Sequence, residues 1–522
     1  MEAKMVRNGK ILCLLLILFL IEGALAQQKE KPLSLEECIL QALKNNLNLA
    51  VQVLNPELAD ISVSRARERF FPSLSFGLST EKTNEASFSW IQSEEQINAE
   101  SNDYSLQLSQ LIPIGGSFSI ALGSNKSKSN QKLLSVNPRY YTNLRFNFSQ
   151  PLLKDFGFKV SRREIIVAQN NRDISEKQLR GILMDTIYNV EKAYWDLTYS
   201  IENFKVKRQS LELARDLLLK NKKEVEVGMM APIEVLSAQA EVASREADII
   251  QAEVLVRNNE DNLKTIINLA AWEKDIEVKV IPADKPSFEK REISLDEALL
   301  LAAENRPDLQ VTKLDLKNKE IDLSFAKNQL LPDLRLNASY WSPGLSGTQF
   351  IYDPLNPFGG PIGSIPGKPS DALKDTFDFR FKNWSATVSL SIPLNAVLSR
   401  AQYAQAKVSL EQATLSLKNQ EQQAYLEIRN AVRAVQTNYE RVQAYKVARE
   451  LAEKKLEAEQ KKLKVGLTTD YVVLNYQRDL ANAQSAELKA VIDYNLSLAD
   501  LERAMGTTLS RKNIKITEII RE

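Results

Sequence analysis

Two long stretches of the chain carry apolar residues at the alternating three- and four-residue spacing of a coiled-coil seam. They run from Ser161 to Gly228 and from Ser399 to Gly466, and each covers 67 steps. The seam residues are Leu183, Ile187, Val190, Tyr194, Leu197, Ile201 and Phe204 in the first stretch and Tyr425, Ile428, Val432, Val435, Tyr439 and Val442 in the second. At about 1.5 Å per residue, each stretch predicts a helix of roughly 100 Å, a length suited to spanning a distance.

Each long stretch ends at a glycine, and a second helical pattern follows at once. Gly228 is followed by Pro232, and Gly466 is followed by Asp470. Glycine commonly ends a helix, and proline or a capping residue begins one, so each long helix is predicted to reverse into an antiparallel hairpin. The two long stretches align without a gap at an offset of 238 residues.

A shorter helical segment opens each half of the chain. A serine followed three residues later by a glutamate marks its start at Ser34 and again at Ser294, as in a capping box. We predict one continuous helix from each start, ending near Pro72 and near Pro332, at an offset of 260 residues. The chain therefore reads as two related halves.

Alternating polar and apolar residues predict strands between the short and the long helices of each half. These strands are predicted at Ser73–Leu78, Leu144–Ser149, Leu334–Ala338 and Ser385–Ile392. The first half also predicts a hairpin over about residues 104–122, which either joins the same sheet or lies elsewhere. In the second half, the glycine- and proline-rich segment from Pro343 to Pro369 predicts an irregular loop.

The first 26 residues have the pattern of a secretory signal peptide. Three positive residues precede an apolar run from Ile11 to Ile21, and Ala24 and Ala26 supply small residues for cleavage. We expect the mature chain to be exported. After this leader no run of 18 apolar residues follows, so no transmembrane helix is predicted.

Composition excludes several classes of function. The 522 residues include no histidine, which excludes histidine bases and histidine metal ligands. Cys13 lies in the leader, and Cys38 lies on an apolar helical face, where we predict a small core residue. Positive and negative residues number 68 and 67 with no basic block, which gives no support to nucleic-acid binding. We predict no enzyme, no cofactor and no metal site.

The predicted strands require partners beyond a single chain if they enter a membrane. Lipid cannot satisfy the backbone groups of an open sheet edge, so spanning strands must form a closed barrel. Several copies would then pool their strands, and the long helices would continue the barrel as a tube.

The paired motifs resemble those of the TolC-type outer-membrane efflux protein family, the outer membrane factors, across essentially all of residues 33–508. The resemblance is carried by the helix openings Leu33-Ser34-Leu35-Glu36-Glu37 and Ile293-Ser294-Leu295-Asp296-Glu297, the strand ends Ser149-Gln150-Pro151-Leu152 and Ser391-Ile392-Pro393-Leu394, and the reversals Val227-Gly228-Met229 and Val465-Gly466-Leu467. It implies an α+β membrane protein with two internal repeats, in which a trimeric outer-membrane β-barrel continues as a long periplasmic α-helical coiled-coil barrel.

The resemblance also implies partners and a division of the chain. The partners would be two further copies, a periplasmic adaptor, an inner-membrane pump of the RND, ABC or MFS type, and outer-membrane lipid. The divisions would be the signal peptide at 1–26, a first repeat at 27–270 with strands at about 72–150 and a hairpin at about 160–269, an equatorial connector at 271–292, a second repeat at 293–508 with strands at about 332–393 and a hairpin at about 398–506, and a C-terminal equatorial segment at 509–522.

By the same resemblance, the two reversals form the site where the adaptor docks. The residues assigned to it are Gly228, Met229, Leu236, Gly466, Leu467 and Leu474. An alternative role for Leu236 and Leu474 is to seal the core of each hairpin, and both glycines suit the turn itself.

A periplasmic gate is expected beside the reversals, with candidate residues Leu463, Asp470, Val472, Asn475 and Glu234. Family members can carry acidic residues six and nine positions after the reversal glycine. This chain has Val472 and Asn475 there in its second half, and Asp470 lies two residues away from the first of these positions. An acidic ring is therefore not expected, and apolar side chains at Val472 or Leu463 could constrict the pore by excluding water.

Other functions are less consistent with this pattern. A duct for type I protein secretion has the same architecture, and the sequence does not separate it from drug or metal efflux. A structural periplasmic coiled coil would explain the helices but not the paired strands or the repeated reversals.

Overall fold

A computed structural model describes residues 30–88, 95–269, 279–356 and 358–514. The predicted signal peptide and part of each predicted equatorial segment lie outside these residues. The helices are α1 Leu35–Asn45, α2 Leu47–Glu68, α3 Phe158–Ser161, α4 Arg163–Glu226, α5 Pro232–Ile266, α6 Leu295–Asn305, α7 Pro307–Asn328, α8 Pro369–Phe377, α9 Val397–Lys464, α10 Asp470–Ala504 and α11 Thr508–Arg511. The strands are β1 Glu30–Leu33, β2 Ser73–Ala86, β3 Gln96–Leu111, β4 Ser117–Ser129, β5 Val136–Pro151, β6 Lys279–Pro282, β7 Asp333–Ile351, β8 Gly363–Ile365 and β9 Asn383–Ser391.

The chain forms two compact units, each assembled from separated segments. The first contains the described parts of residues 1–56, 175–311 and 418–522, and the second contains those of 57–174 and 312–417. The two long helices, α4 with 64 residues and α9 with 68, confirm the two helical stretches expected from the seam spacing. None of the helices in the described ranges is both long and apolar enough to cross a bilayer.

In the first unit, α1 and α4 form the largest hydrophobic core. Leu183, Ile187, Val190 and Leu197 of α4 are completely buried in it, as their spacing predicts. Cys38 of α1 is also completely buried there, and this burial raises the pKa of its thiol to about 12. Cys38 is therefore a core residue, as predicted.

The seam of α9 differs from the predicted one. Ile428, Val435 and Val442 are buried, but Tyr425 is exposed. The buried residues of α9 also include Ala424 and Ala431, whose small side chains allow another helix to pack closely. The larger Tyr425, next to Ala424, lies outside this contact. The prediction followed the large residues and therefore placed part of the seam one position too far along the helix.

Each short opening helix is interrupted, which corrects the prediction of one continuous helix. Asn46 separates α1 from α2, and its side-chain oxygen accepts from the backbone N–H of Leu49 at 3.0 Å, so it caps the second helix. Arg306 separates α6 from α7 in an extended conformation. Pro307 explains that break, because a proline disfavours the helical conformation of the residue before it.

The helix starts match the sequence signals. Ser34 and Glu37 form a complete capping box, with the Ser34 hydroxyl accepting from the Glu37 backbone N–H at 3.2 Å. Ser294 accepts from the backbone N–H of Glu297 at 3.1 Å in the same way. Strand β1, which ends at the residue before Ser34, pairs in parallel with β6, and both strands belong to the first unit.

The second unit contains a seven-stranded sheet in the order β2-β3-β4-β5-β7-β8, with β9 paired to β7 next to β8. The predicted hairpin corresponds to β3 and β4, which lie inside the sheet between β2 and β5. The segment from Pro343 to Pro369 is only in part the irregular loop that we expected, since strands occupy both its first nine residues and residues 363–365. Strand β7 continues through Pro343 to Ile351, and β8 pairs with the end of β7.

The sheet has one apolar and one polar face. Directly paired residues share a face, so each row of the register can be followed from strand to strand. One row consists of Leu74, Leu108, Ile120, Phe146, Tyr340 and Trp384. The adjacent row on the opposite face consists of Ser73, Ser109, Ser119, Asn147, Ser339 and Ser385. At these rows, the sheet of six long strands therefore has apolar side chains on one face and hydroxyl and amide groups on the other.

Helix α8 packs on the apolar face of this sheet. The Thr142 hydroxyl of β5 donates to the backbone carbonyl of Ala372 at 2.8 Å, and Phe379 stacks on Phe146 with ring centroids 6.5 Å apart. Gly344 of β7 makes this close approach possible, because a Cβ atom there would lie 2.0 Å from the carbonyl oxygen of Ala372.

The outer edges of the sheet remain without a strand partner within the described residues. The edges belong to β2 on one side and to β8 and β9 on the other. All pairings along the path from β2 to β9 are antiparallel, so these two strands run in opposite directions.

Candidate functional site

The two helical reversals, defined as residues 227–231 and 465–469, have the same length and the same backbone conformation. Gly228 and Gly466 both have φ of +76°, the left-handed conformation that glycine adopts most easily. The N–H of Met229 donates to the carbonyl of Glu224 at 2.8 Å, and that of Leu467 donates to Lys462 at 3.0 Å. These bonds satisfy helix-end carbonyls, so both helices end in a glycine-based cap.

Large apolar side chains at the reversals face solvent. Met229 is 81% exposed and Leu467 is 77% exposed, and two residues before each lies an exposed valine, Val227 or Val465. Exposed apolar residues at the end of a hairpin cannot stabilise it by burial. Their position is therefore suited to contact with another protein.

Leu236 and Leu474, which occupy equivalent positions 238 residues apart, have different environments. Leu236 is 61% exposed, whereas Leu474 is 2% exposed and packs in a core with Leu211, Ala238 and Val242. Of the two roles left open by the sequence, burial favours a core role for Leu474. Exposure leaves Leu236 available for docking.

Asp470 is the most deeply buried of the gate candidates. Its carboxylate is 3.6 Å from the Lys220 ammonium, and the Asn221 amide, oriented to satisfy both groups, donates to it at 2.9 Å. Burial raises the pKa of Asp470, Lys220 opposes this effect, and the nearby Glu224 adds to it. The carboxylate therefore links the start of α10 to α4, and it does not face solvent.

The other gate candidates lie less deeply in the structure. Leu463, Val472, Asn475 and Glu234 are all half-buried. The Asn475 side-chain oxygen accepts from the Arg478 guanidinium at 2.9 Å, and the N–H of Val472 donates to the carbonyl of Thr469 at 3.1 Å. The structure thus places Leu463 in the last turn of α9, Glu234 in the first turn of α5, and Val472 and Asn475 in the first two turns of α10, all close in sequence to the reversals.

Arg245 of α5 makes a buried contact that the sequence analysis did not identify. Its guanidinium donates to the carbonyl of Ser210 at 2.6 Å and to that of Leu474 at 2.8 Å. It also donates to the Glu241 carboxylate at 3.0 Å. Arg245 therefore connects α4, α5 and α10, and burial lowers the pKa of its guanidinium while Glu241 opposes this.

A signal for Arg245 was present in the sequence. The buried line of α5 runs through Ala238, Val242, Arg245 and Ala252, at coiled-coil spacing. A charged residue in an otherwise apolar seam must find partners that compensate its burial, so it marks a specific contact between helices. We interpreted only apolar residues as seam positions and therefore overlooked the arginine among them.

Comparison with known proteins gives a family for this architecture. The family model described as "Outer membrane efflux protein" matches residues 117–269 and 298–507, well over half of the chain. Nodulation protein T of Rhizobium leguminosarum bv. trifolii is 22% identical over 356 residues, which cover 68% of this chain and 70% of that protein. Outer membrane protein TolC of Vibrio cholerae serotype O1 is 23% identical over 379 residues, covering 70% and 77%.

Solved channel structures have a similar fold. The outer-membrane channel OprN gives a TM-score of 0.65 at 18% identity, covering 91% of this chain and 90% of that one. The CmeC outer membrane channel of Campylobacter jejuni gives 0.65 at 18% identity, covering 93% and 89%. The open state of the Neisseria gonorrhoeae MtrE channel gives 0.62 at 20% identity, covering 91% and 89%. The chain therefore belongs to the outer membrane efflux protein family, whose members are outer-membrane channels with a periplasmic extension and not enzymes.

Proposed function

We propose that three copies of this chain form an outer-membrane duct that passes substrates outward from an inner-membrane pump and a periplasmic adaptor. The observation that carries this proposal is the sheet of the second unit. It has an apolar face, a polar face and two edges without a strand partner among the described residues, in a chain of a channel family. Lipid on one face and water on the other would satisfy both surfaces, and closure would satisfy the edges.

Closure by a ring of copies follows from the strand directions. Because β2 and β9 run in opposite directions, β2 of one copy can pair antiparallel with β9 of the next. Such a head-to-tail contact repeats around a rotation axis until the ring closes. A two-fold pairing of β2 with β2 would instead leave both β9 edges open.

The number of strands favours a wide pore. Six long strands in each of three copies give eighteen, and barrels of about 16–18 strands leave an aqueous channel. The Ser73, Ser109, Ser119, Asn147, Ser339 and Ser385 row would face this channel. This row would offer hydrogen bonds from neutral hydroxyls and amides, and Arg145 and Asp103 add charges of both signs to the same face.

The reversals are proposed to dock the adaptor. Met229, Leu467 and Leu236 supply exposed apolar contacts there, and Gly228 and Gly466 shape the turns that present them. Leu474 would support this surface from the core behind it.

The docking proposal is tested with the adaptor encoded in the same genome. Met229→Glu and Leu467→Glu place a charge in an apolar contact, so they should abolish co-purification of the adaptor while the channel still assembles. Gln239→Glu is the matched control, because Gln239 is exposed near Leu236 and is already polar. Undiminished adaptor binding by the double variant Met229→Glu/Leu467→Glu would contradict docking at the reversals.

The gate is proposed to close by apolar constriction, with Val472 or Leu463 narrowing the pore and Asn475 and Glu234 beside them. The buried Asp470 would hold the start of α10 against α4 in the closed arrangement. Val472→Ser should raise the resting current through single channels, because a hydroxyl makes a constriction easier to wet. An unchanged resting current would count against a constriction at Val472.

A further inference from the structure

Helix α8 covers a polar position on the apolar face of the sheet. The Thr142 side chain of β5 is 1% exposed, and its hydroxyl donates to the Ala372 carbonyl of α8 at 2.8 Å. Ala372 and Thr376 form the buried side of the helix, and the Thr376 hydroxyl lies against that of Thr142. The helix therefore supplies partners for a hydroxyl that would otherwise point out of the sheet.

The exposed surface of α8 has an apolar edge and a charged edge. Leu373 and Phe377 are 38% and 53% exposed, and residues four positions apart lie on the same face of a helix. Asp371, Lys374 and Asp378 are exposed on the other edge. An amphipathic helix of this kind is suited to the boundary between the acyl chains and the headgroups of a membrane.

The position of α8 along β7 matches that boundary. Leu334 is the first residue of β7 on the apolar face, and Gly344, which α8 contacts, lies ten residues further along the strand. At about 3.4 Å per residue and a tilt of about 40°, ten residues rise roughly 26 Å along the axis of a barrel. The apolar band of an outer-membrane barrel is about 25 Å tall, so α8 lies at its far end. This end is remote from α7, which ends at Asn328 just before β7, and it therefore corresponds to the outer leaflet.

Lysines on the apolar side of two other strands lie at a similar level. Strands β2, β4 and β7 all start at the same edge of the sheet. Lys82 and Lys126 lie nine residues from the starts of β2 and β4, whereas Leu78 and Leu122 lie five residues from them. A lysine can keep its carbon chain along apolar surface while its ammonium reaches lipid phosphates and water. The apolar surface of the sheet therefore ends at about the level of α8.

We propose that α8 is an interfacial helix that binds lipid of the outer leaflet, with Leu373 and Phe377 among the acyl chains and Lys374 at the phosphate groups. The proposal rests on the barrel proposed above, and it adds a helix to the lipid-facing surface of that barrel. Lipid fits because the apolar edge of α8 continues the exposed apolar surface of the sheet, which includes Trp384 at 76% exposure. Lys374 has no ion pair within the described part of the chain, so its ammonium is available to a phosphate.

The test is the accessibility of spin labels on the purified protein in vesicles of phosphatidylethanolamine and phosphatidylglycerol. Phe377→Cys is introduced together with Cys38→Ala, which removes the native thiol, and the new thiol carries a nitroxide. Collision with oxygen, which concentrates among acyl chains, should exceed collision with a water-soluble nickel chelate. The ratio of the two should place the label about 5–10 Å below the lipid phosphates.

Asp378 supplies the matched control, because it is exposed and lies about 100° around the helix axis from Phe377. A label at Asp378→Cys should collide more often with the nickel chelate than with oxygen. Trp384 pairs with Tyr340, which lies four residues nearer the start of β7 than Gly344 does. A label at Trp384→Cys should therefore lie roughly 10 Å deeper in the bilayer than α8.

Two results would overturn the lipid contact. A label at Phe377→Cys that collides mainly with the nickel chelate would place α8 in water. A label that neither reagent reaches would show that protein, such as a neighbouring copy, covers the helix. Conductance of the same samples separates this contact from the duct, because uniform current steps with either result would refute the contact alone. Protein that adds no current would refute the duct, whatever the labels report.

Discussion

Gly228 and Gly466 show how single residues determine the reversals. Both adopt φ of +76°, and a Cβ atom at either position would meet nothing within 4 Å. The requirement for glycine is therefore one of backbone conformation and not of space. Alanine would be held in a conformation that costs L-residues about 1 kcal/mol or slightly more.

We predict that Gly466→Ala lowers the free energy of unfolding by about 1 kcal/mol, because the new methyl group strains the left-handed backbone. Thermal unfolding of detergent-solubilised protein, followed by far-ultraviolet circular dichroism, measures the change. Gly181→Ala is the control, since Gly181 lies inside α4 and its Cβ would be 3.8 Å from Pro307, an ordinary contact. The control should stabilise the protein by up to about 1 kcal/mol. Equal effects of the two substitutions would contradict the assigned role of Gly466.

The buried carboxyl of Asp470 should make stability depend on pH. Burial raises its pKa, against the opposing effect of Lys220 and with a further increase from Glu224. The folded state therefore binds this proton more tightly than the unfolded chain does. The stabilisation from protonating Asp470 is fully present below the unfolded pKa and is lost as the pH rises through the folded pKa.

Asp470→Asn removes this dependence, because an amide does not titrate. Relative to the variant, the wild type should gain stability as the pH falls from neutrality through the raised pKa toward about 4. The measurement is the difference between the thermal midpoints of the two proteins at each pH in this range. Groups other than residue 470 titrate in both proteins, so their effects cancel in this difference. A difference between the two proteins that stays constant with pH would contradict the buried, raised-pKa carboxyl.

Sequence reasoning located these residues with uneven success. Glycine positions and capping serines depend on local backbone chemistry, so the sequence identifies them directly. Asp470 was chosen for its distance from Gly466, but its burial against Lys220 depends on how α4 packs with α10. Arg245 was missed for the same reason, because its partners lie on three different helices.

At the scale of elements, Arg245 joins the first helical hairpin to the second. Its planar guanidinium reaches carbonyls of α4 and α10 at once, while its Nε donates to Glu241 of its own helix. Lysine has a single ammonium and cannot reproduce this geometry. Arg245→Lys should therefore lower the free energy of unfolding by about 1–2 kcal/mol.

Arg257→Lys is the matched control for this substitution. Arg257 also lies on α5, but it is exposed, and its ion pair with Glu253 is a surface contact. The control should change the unfolding free energy by less than about 0.5 kcal/mol. Chemical denaturation of both variants gives the two values, and equal values would show that Arg245 does not join the hairpins.

Helix α8 depends on a glycine in the strand beneath it. A Cβ atom on Gly344 would lie 2.0 Å from the Ala372 carbonyl oxygen, so Gly344→Ala must push α8 away from the sheet. We expect a local cost of about 2 kcal/mol. Trypsin cleaves Lys374 only when α8 opens locally, so a cost of about 2 kcal/mol should make this cleavage roughly thirtyfold faster than in the wild type.

Gly123→Ala controls for the loss of a strand glycine, because a Cβ atom at Gly123 meets nothing within 4 Å. Mass spectrometry of the tryptic fragments reports cleavage at Lys374 in both variants. Equal cleavage rates would show that Gly344 does not hold α8 on the sheet.

Elements with strong local signals were predicted more reliably than their breaks and continuations. The long helices and the principal strands follow from periodicity alone. The break at Asn46 was missed because an asparagine is compatible with a helix until its side chain caps the next one. The extension of β7 through Pro343 was missed because glycine and proline usually interrupt strands. Here Gly344, next to Pro343, stays within the strand and lets α8 pack closely on it.

At the scale of the whole molecule, what remains unpaired is as informative as what is paired. The part of the apolar sheet face beyond α8, the edges of β2 and β9, and the apolar stripe of α2 (Leu47, Val51, Leu54, Leu58 and Ile61) are all surfaces that one described chain does not cover. The alternating patterns predicted strands with two faces. They did not reveal that the hairpin of β3 and β4 lies within the same sheet, because register depends on pairing across the chain.

The most direct test of the channel proposal is ion current across a planar lipid bilayer after addition of the purified mature protein. We predict stepwise increases of one uniform size, each from a single inserted ring, because the polar face of a closed barrel would enclose water. Gly123→Ala, which leaves the sheet unaltered, should give the same steps. Well-folded protein that adds no current to the bilayer, or steps of widely varying size, would contradict a duct formed by a closed ring of copies.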